Sequence, residues 1–336
     1  MGSQFVDLDA DGHLDYLAAT FDGSPHLARG SREGFGKPEQ LLDAKGRRIL
    51  ISAFWDYEAR EHKVDGRALE RQPTPDERCV SAWAHDMDGD GDLDLLLGSY
   101  ENGRLYMQVN EGTAAKPAFT GKNVPVTAGG VPFALAEKMT APRMVDWDGD
   151  GDLDLIAGSF GDAYGPGAGG GRVVLARNTG RDGKTEFGAQ EILIPPSPKG
   201  WKEPTRPDAG LYVDAVDWDG DGDLDLLVGG YSMWLPEGRP LTAGEREEAD
   251  RLEKVREAAQ ADLDGISAEY SKAYRAATEG KDRKDPEVVK AIAAAGNRYR
   301  EDSAALRRKV EELTEQLEKL VPGPRRETFV WLYERK

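Results

Sequence analysis

The sequence has a single cysteine, Cys79, so no intramolecular disulfide can form. It lacks an apolar run long enough to cross a membrane as a helix. Basic residues are outnumbered, with 44 Lys and Arg against 62 Asp and Glu, and no basic patch is evident that could hold phosphates. We therefore expect no membrane span in this chain and no nucleic-acid partner. Cys79 is interpreted as an ordinary small residue at the start of a strand.

The sequence also has few histidines and no visible signal peptide. His13, His26, His62 and His85 are scattered without a ligand spacing, and each is interpreted as structural. No signal peptide is visible, because the chain starts almost inside its first motif. We therefore expect that this chain lacks its natural N-terminus, so the missing signal peptide does not argue against a secreted protein.

What the sequence does have is four acidic loops of nine residues: loop 1 (7–15), loop 2 (86–94), loop 3 (146–154) and loop 4 (217–225). Each has carboxylates at positions 1, 3, 5 and 9, Gly at position 6 and Leu at position 8. Hard oxygen ligands at alternate positions, with a glycine that permits a sharp turn, suit calcium. We predict about four Ca²⁺ sites. Their candidate residues, at positions 1, 3, 5, 7 and 9, are Asp7, Asp9, Asp11, His13, Asp15, Asp86, Asp88, Asp90, Asp92, Asp94, Asp146, Asp148, Asp150, Asp152, Asp154, Asp217, Asp219, Asp221, Asp223 and Asp225.

The acidity of the chain is concentrated in these loops. They contain about as many Asp residues as the net charge of −18, so the remainder is close to neutral. Four bound calcium ions would leave about −10. The negative charge therefore indicates metal sites more than a general anionic surface.

The loops recur every ~60–80 residues, longer than the usual propeller repeat of ~40–50, so inserted segments are expected. An apolar run follows each loop, as in Leu95-Leu-Leu97, and consecutive apolar residues indicate a strand buried on both faces. Strands packed between neighbouring sheets meet that condition. We predict an all-β protein, a β-propeller of four-stranded blades with four repeats visible, forming a partial ring.

The long insertions should lie on one side of that propeller. If each acidic loop joins strands 1 and 2 of a blade, the 2–3 hairpins and 4–1 crossovers emerge on the opposite side. Residues 52–79, 161–171 and 195–210 all fall in those connections. The side opposite the calcium loops is therefore the predicted contact surface for a protein or carbohydrate ligand.

A helical pattern interrupts the fourth repeat. Thr242-Ala-Gly-Glu245 forms a capping box, and Asp285-Pro286 starts a second helix with a heptad rhythm of leucines. Two helices of equal length predict an antiparallel coiled-coil hairpin. We place the propeller blades at 1–240, the hairpin at 241–324 and a strand that partly completes the last blade at 325–336.

The loop core Asp-x-Asp-Gly-Asp-Gly-x-Leu-Asp-Leu resembles the FG-GAP/VCBS repeat family of integrin α-subunit propellers and many secreted bacterial proteins. The resemblance covers roughly residues 1–240 and 327–336. Loop 1 departs from it with Ala10 and His13. The resemblance implies side-chain ligands at positions 1, 3, 5 and 9 and a backbone carbonyl at position 7, which His13 can also supply.

These observations favour a non-catalytic, calcium-stabilised binding or adhesion module outside the cytoplasm, at the cell surface, in the periplasm or secreted. The alternative is a carbohydrate-binding module or a carbohydrate-active enzyme such as a polysaccharide lyase, for which Arg60, His62 and Lys63 are the nearest candidates. Aromatic residues of the crossovers (Phe54, Trp55, Tyr57 and Trp201) are interpreted as loop packing, with sugar or protein contact as the other option. Trp147 and Trp218, at loop position 2, are predicted to be packing residues.

Overall fold

The structure is a computed structural model, and it describes residues 2–57, 59, 61–65, 76–161, 169–181, 183–197, 206–282 and 285–336. The chain divides into two compact units. A β unit comprises Met1–Trp234 and Arg326–Lys336, and a helical unit comprises Leu235–Arg325. Trp201 and Arg60 lie outside the described residues.

Three of the sheets have four antiparallel strands in chain order, and each acidic loop joins a first strand to a second. The fourth sheet has three. Sheet 1 contains β1 (Ser3–Val6), β2 (Asp15–Ala19), β3 (Pro25–Ala28) and β4 (Glu39–Gln40); sheet 2 contains β7 (Cys79–His85), β8 (Asp94–Ser99), β9 (Leu105–Gln108) and β10 (Val124–Pro125). Sheet 3 contains β13 (Ala141–Val145), β14 (Asp154–Gly158), β15 (Val173–Ala176) and β16 (Glu191–Ile194); sheet 4 contains β17 (Ala209–Val216), β18 (Asp225–Trp234) and β19 (Arg325–Tyr333).

Two small hairpins lie between these sheets. β5 (Ala53–Asp56) pairs with β6 (Glu61–Val64), and β11 (Thr127–Ala128) pairs with β12 (Val131–Pro132). The first occupies the long connection between sheets 1 and 2. The extra length predicted in this connection thus includes a hairpin of its own.

The four sheets pack on each other in chain order through three apolar cores. Leu17 of sheet 1 packs in one core with Leu95 of sheet 2, and Leu96 of sheet 2 packs in the next with Leu155 of sheet 3. Ile156 of sheet 3 shares the third core with Val228 of sheet 4. Consecutive residues of a second strand thus face different neighbours, which explains the unbroken apolar runs.

Arg143 of β13 shows that the first strands converge. Its guanidinium donates to the carbonyl oxygen of Ser3 at 2.7 Å and to that of Val213 at 3.2 Å, and it lies 4.6 Å from the ring centre of Trp83. One side chain therefore reaches the first strand of every sheet. The β unit is a series of four antiparallel sheets with their first strands innermost, and closure into a propeller ring stays a prediction.

The helical unit contains α1 (Ala243–Thr278) and α2 (Pro286–Glu318), which pack against each other. Thr242 and Glu245 form the capping box, and the Asp285 side chain accepts the Glu287 amide at the start of α2. Ser267 and Tyr270 of α1 meet Tyr299 of α2. Among the described residues, no helix is long and apolar enough to cross a membrane. The fold is thus mostly β, with a pair of helices between two strands of the last sheet.

Candidate metal centres

The structure brings loop positions 1, 3 and 5 together in all four loops. In each loop a carboxylate oxygen from these three residues lies within 4.8 Å of the other two. The four clusters are half-buried or exposed, at the end of the sheets where strand 1 turns into strand 2. They consist of Asp7, Asp9 and Asp11; Asp86, Asp88 and Asp90; Asp146, Asp148 and Asp150; and Asp217, Asp219 and Asp221.

Hydrogen bonds from backbone amides to Asp side chains give each loop its shape. In loop 2, the Asp86 carboxylate accepts the amides of Gly89 at 2.8 Å and Gly91 at 2.9 Å, and Asp90 accepts the amide of Asp92 at 3.0 Å. Gly91 has a φ of 92°, which explains the glycine at position 6. Loop 3 repeats this arrangement. The turn therefore follows from the motif itself.

Position 9 has a different environment from the other carboxylates. Asp94 is buried, and its two oxygens accept the amides of Met87 at 3.2 Å and Asn110 at 2.8 Å. Burial, the largest cause, raises the pKa of Asp94 to about 6 in spite of those hydrogen bonds. The same pair of bonds, to position 2 and to the end of strand 3, recurs at Asp15, Asp154 and Asp225. Position 9 thus connects the loop to strand 3, and its role as a calcium ligand stays a prediction.

Several carboxylate oxygens in the loops are buried without a partner. Oδ1 of Asp9, Asp92 and Asp223 makes no hydrogen bond among the described residues. Burial first, and then the neighbouring Asp residues, raise the pKa of Asp92 above its usual range. Unpaired buried oxygens among like charges are costly without a cation. The residues present therefore fit a hard divalent cation.

Sequence reasoning missed two arginines beside these clusters. Arg29 forms an ion pair with Asp9, and Nη1 of Arg177 lies 2.5 Å from Oδ2 of Asp148. Both arginines stand at the end of strand 3 of their sheet. The only indication in the sequence is that each arginine comes immediately before Gly30 or Asn178, the residues whose backbone amides donate to the Asp at position 9.

The other candidate residues are engaged in local contacts. His62 packs edge-on against Trp55 at 4.9 Å between ring centres, and the Lys63 ammonium lies 2.6 Å from Asp56. Arg48 lies over the Phe54 ring at 4.5 Å. These contacts support the packing interpretation of Phe54 and Trp55, whereas Tyr57 is 65% exposed and does not fit it.

Position 2 shows one confirmed and one wrong prediction. Trp147 is buried in the core between sheets 3 and 4, as predicted. Trp218 is 62% exposed, so the prediction that it is a packing residue is wrong. Loops 3 and 4 are identical in sequence, but among the described residues no further sheet packs over position 2 of loop 4.

Comparison with known families agrees with this repeat geometry. Residues 86–157 and residues 146–228 each match the FG-GAP-like repeat. The chain contains FG-GAP-like repeats. Each match runs from one acidic loop to the strand that follows the next loop, and the second begins at loop 3, before the first ends. No curated protein matches the chain.

Proposed function

We propose that this FG-GAP-like repeat protein is a non-catalytic binding or adhesion module whose loops hold structural calcium. The observation that carries the proposal is the fourfold repetition of three converging carboxylates. Buried carboxylate oxygens without a hydrogen-bond partner in loops 1, 2 and 4 support it. Positions 1, 3 and 5 would bind the ion. Calcium supplies the positive charge that offsets the repulsion within each cluster.

A location outside the cytoplasm suits such sites. Cytosolic calcium is low enough to leave all but tight sites empty, whereas extracellular calcium is high enough to fill weak ones. FG-GAP-like repeats are typical of extracellular proteins, which supports the same location.

The side opposite the loops is the proposed ligand surface. There, one aromatic residue per sheet lies just after the second strand or, in sheet 4, within it. The rings contact one another in order: Phe21, Tyr100, Phe160 and Tyr231, with centres 6.5, 5.6 and 6.0 Å apart. Phe21 is exposed and Tyr231 is buried. Aromatic side chains are common anchors in protein interfaces. We propose a protein ligand, and a glycan array separates it from a carbohydrate ligand.

Calcium removal tests the structural role. At free calcium ~100 times Kd, each filled site stabilises the fold by about 2.7 kcal/mol, or roughly 5–10 °C in Tm for a domain of this size. Scanning calorimetry should show a large fall in Tm in chelator. The double variant Asp86→Asn/Asp90→Asn should lose part of that calcium response, while the matched control Asp262→Asn/Asp264→Asn on α1 should keep all of it. An unchanged Tm in chelator would contradict structural calcium.

A further inference from the structure

The four acidic loops differ in one feature that the nine-residue motif does not contain. This feature is the residue at the end of strand 3, immediately before the amide that bonds position 9. Those amides belong to Gly30, Asn110, Asn178 and Arg335, at 2.8, 2.8, 2.6 and 2.9 Å from their Asp oxygens. The preceding residues, which are therefore structurally equivalent, are Arg29, Val109, Arg177 and Glu334.

In loops 1 and 3 the arginine at this place is paired with position 3. Arg29 contacts Oδ2 of Asp9, and Arg177 contacts Oδ2 of Asp148 and, at 3.1 Å, Glu191. A guanidinium already satisfies part of the carboxylate that a calcium ion would use. The ion must displace it or share the carboxylate with a nearby positive charge.

Loops 2 and 4 have no such pair. Val109 has no charge, Glu334 is acidic, and position 3 (Asp88 or Asp219) forms no ion pair in the part of the chain that the structure describes. Arg335 lies near loop 4, but its guanidinium donates to the Trp147 carbonyl at 2.7 Å and lies 4.9 Å from the centre of the Trp147 ring. Position 3 of these loops therefore remains open to a cation.

Building on the proposed calcium binding, we propose that Arg29 and Arg177 divide the loops into two classes of calcium site. Loops 2 and 4 bind calcium more tightly, and loops 1 and 3 bind it more weakly because an arginine occupies position 3. Arg29 also lines a cavity of about 400 Å³ beside loop 1, so its side chain has room to move away when the ion binds. Calcium then fills alternate sheets first.

A site-resolved titration tests this proposal. The glycine at position 6 reports each loop separately, so chain labelled with ¹⁵N-glycine is titrated with calcium and the amide signals of Gly12, Gly91, Gly151 and Gly222 are followed. Because partly exposed ion pairs are modest, we expect Gly91 and Gly222 to respond at calcium concentrations about two- to fivefold lower than Gly12 and Gly151. Loops 3 and 4 are identical at all nine positions, and loops 2 and 3 differ only at position 2, so each of these comparisons pairs closely matched loops of different class.

Reciprocal variants establish the cause. Arg177→Met should lower the Gly151 midpoint about two- to fivefold and leave Gly91 unchanged. Val109→Arg should raise the Gly91 midpoint by a similar factor, and it carries the test if Arg177→Met fails to fold. The control is Arg181→Met, which removes the same charge from the neighbourhood of loop 3, where Arg181 lines a cavity with Asp152. It should change the Gly151 midpoint much less than Arg177→Met does.

The outcomes separate two failures. Equal midpoints for Gly91 and Gly151, unmoved by either substitution, would overturn the two classes while leaving calcium binding intact. If Arg181→Met had an equal effect, the difference in calcium midpoint between the loops would be due to net charge alone. That result would also overturn the role of the ion pair. Glycine signals that do not respond to calcium at all would overturn the proposed calcium binding itself.

Discussion

At the scale of the residue, the aspartates of one loop perform different tasks. Asp154, at position 9, is buried and accepts two backbone amides, from Trp147 and Asn178, at 3.1 and 2.6 Å. Asp148, at position 3, is partly exposed and faces the cluster and Arg177. We expect the first kind of residue to stabilise the fold without a metal, and the second to respond to the proposed calcium ion.

A pair of alanine substitutions separates these roles. Asp154→Ala leaves two buried amides without acceptors and should destabilise the β unit by about 2 kcal/mol or more, in calcium or in chelator. Asp148→Ala should leave the stability in chelator nearly unchanged and weaken only the stabilisation by calcium. Urea unfolding with and without calcium measures both effects. If the two variants behaved alike in chelator, the special role of position 9 would be wrong.

Cys79 provides a second prediction at this scale. It is fully buried in the core of sheets 1 and 2, its thiol donates to the Ser81 carbonyl at 3.3 Å, and burial raises its pKa well above the usual range. At pH 8 the folded protein should therefore hold it as an unreactive thiol. Its reaction with a disulfide reagent should follow the rate of unfolding. Rapid reaction under native conditions would contradict the buried placement.

The residues that act within one loop could be predicted from the sequence. The residues that contact a loop from another part of the chain could not. Positions 1, 3 and 5 are close in the chain, and the turn alone brings them together. Arg29 and Arg177 reach their carboxylates from 20 and 29 residues away. Such pairs depend on the register of strand 3 against strand 2, and a motif does not contain that information.

At the scale of the element, the strands were predictable because their apolar runs have a physical cause. The second strands (β8 and β14) are buried on both faces, and their runs are unbroken. The fourth strand was harder to place. β16 begins only at Glu191, because the apolar Phe187 before it forms bridges to Ala128 and Asn178 outside the sheet.

The helical unit predicts a simple deletion. Its residues form a compact unit of their own between Trp234, where β18 ends, and Arg325, where β19 begins. Replacing residues 235–324 with an Asn-Gly turn should connect these strands as a short hairpin and leave the β unit folded. The far-ultraviolet circular dichroism spectrum should lose its helical signal, while the calcium-dependent Tm shift remains. Loss of cooperative unfolding would show that the helices belong to the core.

At the scale of the whole β unit, the two ends of the series of sheets are uncovered. Loop position 2 is buried by the following sheet in the first three sheets, at Leu8, Met87 and Trp147, but Trp218 of sheet 4 is 62% exposed. Val330 of β19 is 75% exposed. At the other end, Phe5 of sheet 1 is 60% exposed and contacts Tyr16 and Phe35, which are also exposed.

The two uncovered surfaces correspond to the two sides of a sheet that pack together inside the chain. At each internal interface, the side of one sheet that carries loop position 2 packs on the opposite side of the next sheet. Sheet 4 leaves its position 2 side uncovered, and sheet 1 leaves the opposite side uncovered. Large exposed apolar surfaces promote association. We expect the 336-residue chain to associate head to tail, with sheet 4 of one copy against sheet 1 of another.

Sedimentation velocity over a range of micromolar concentrations should show this association, and single-end variants should stop its growth. Trp218→Glu removes the sheet 4 surface and Phe5→Glu removes the sheet 1 surface, so each alone should be monomeric. Because each variant keeps the end that the other has lost, their mixture should form a one-to-one dimer. Val289→Glu, at an exposed position on α2, is the matched control and should associate like the unmodified chain. A monomeric chain at every concentration, or a mixture that stays monomeric, would contradict head-to-tail contact.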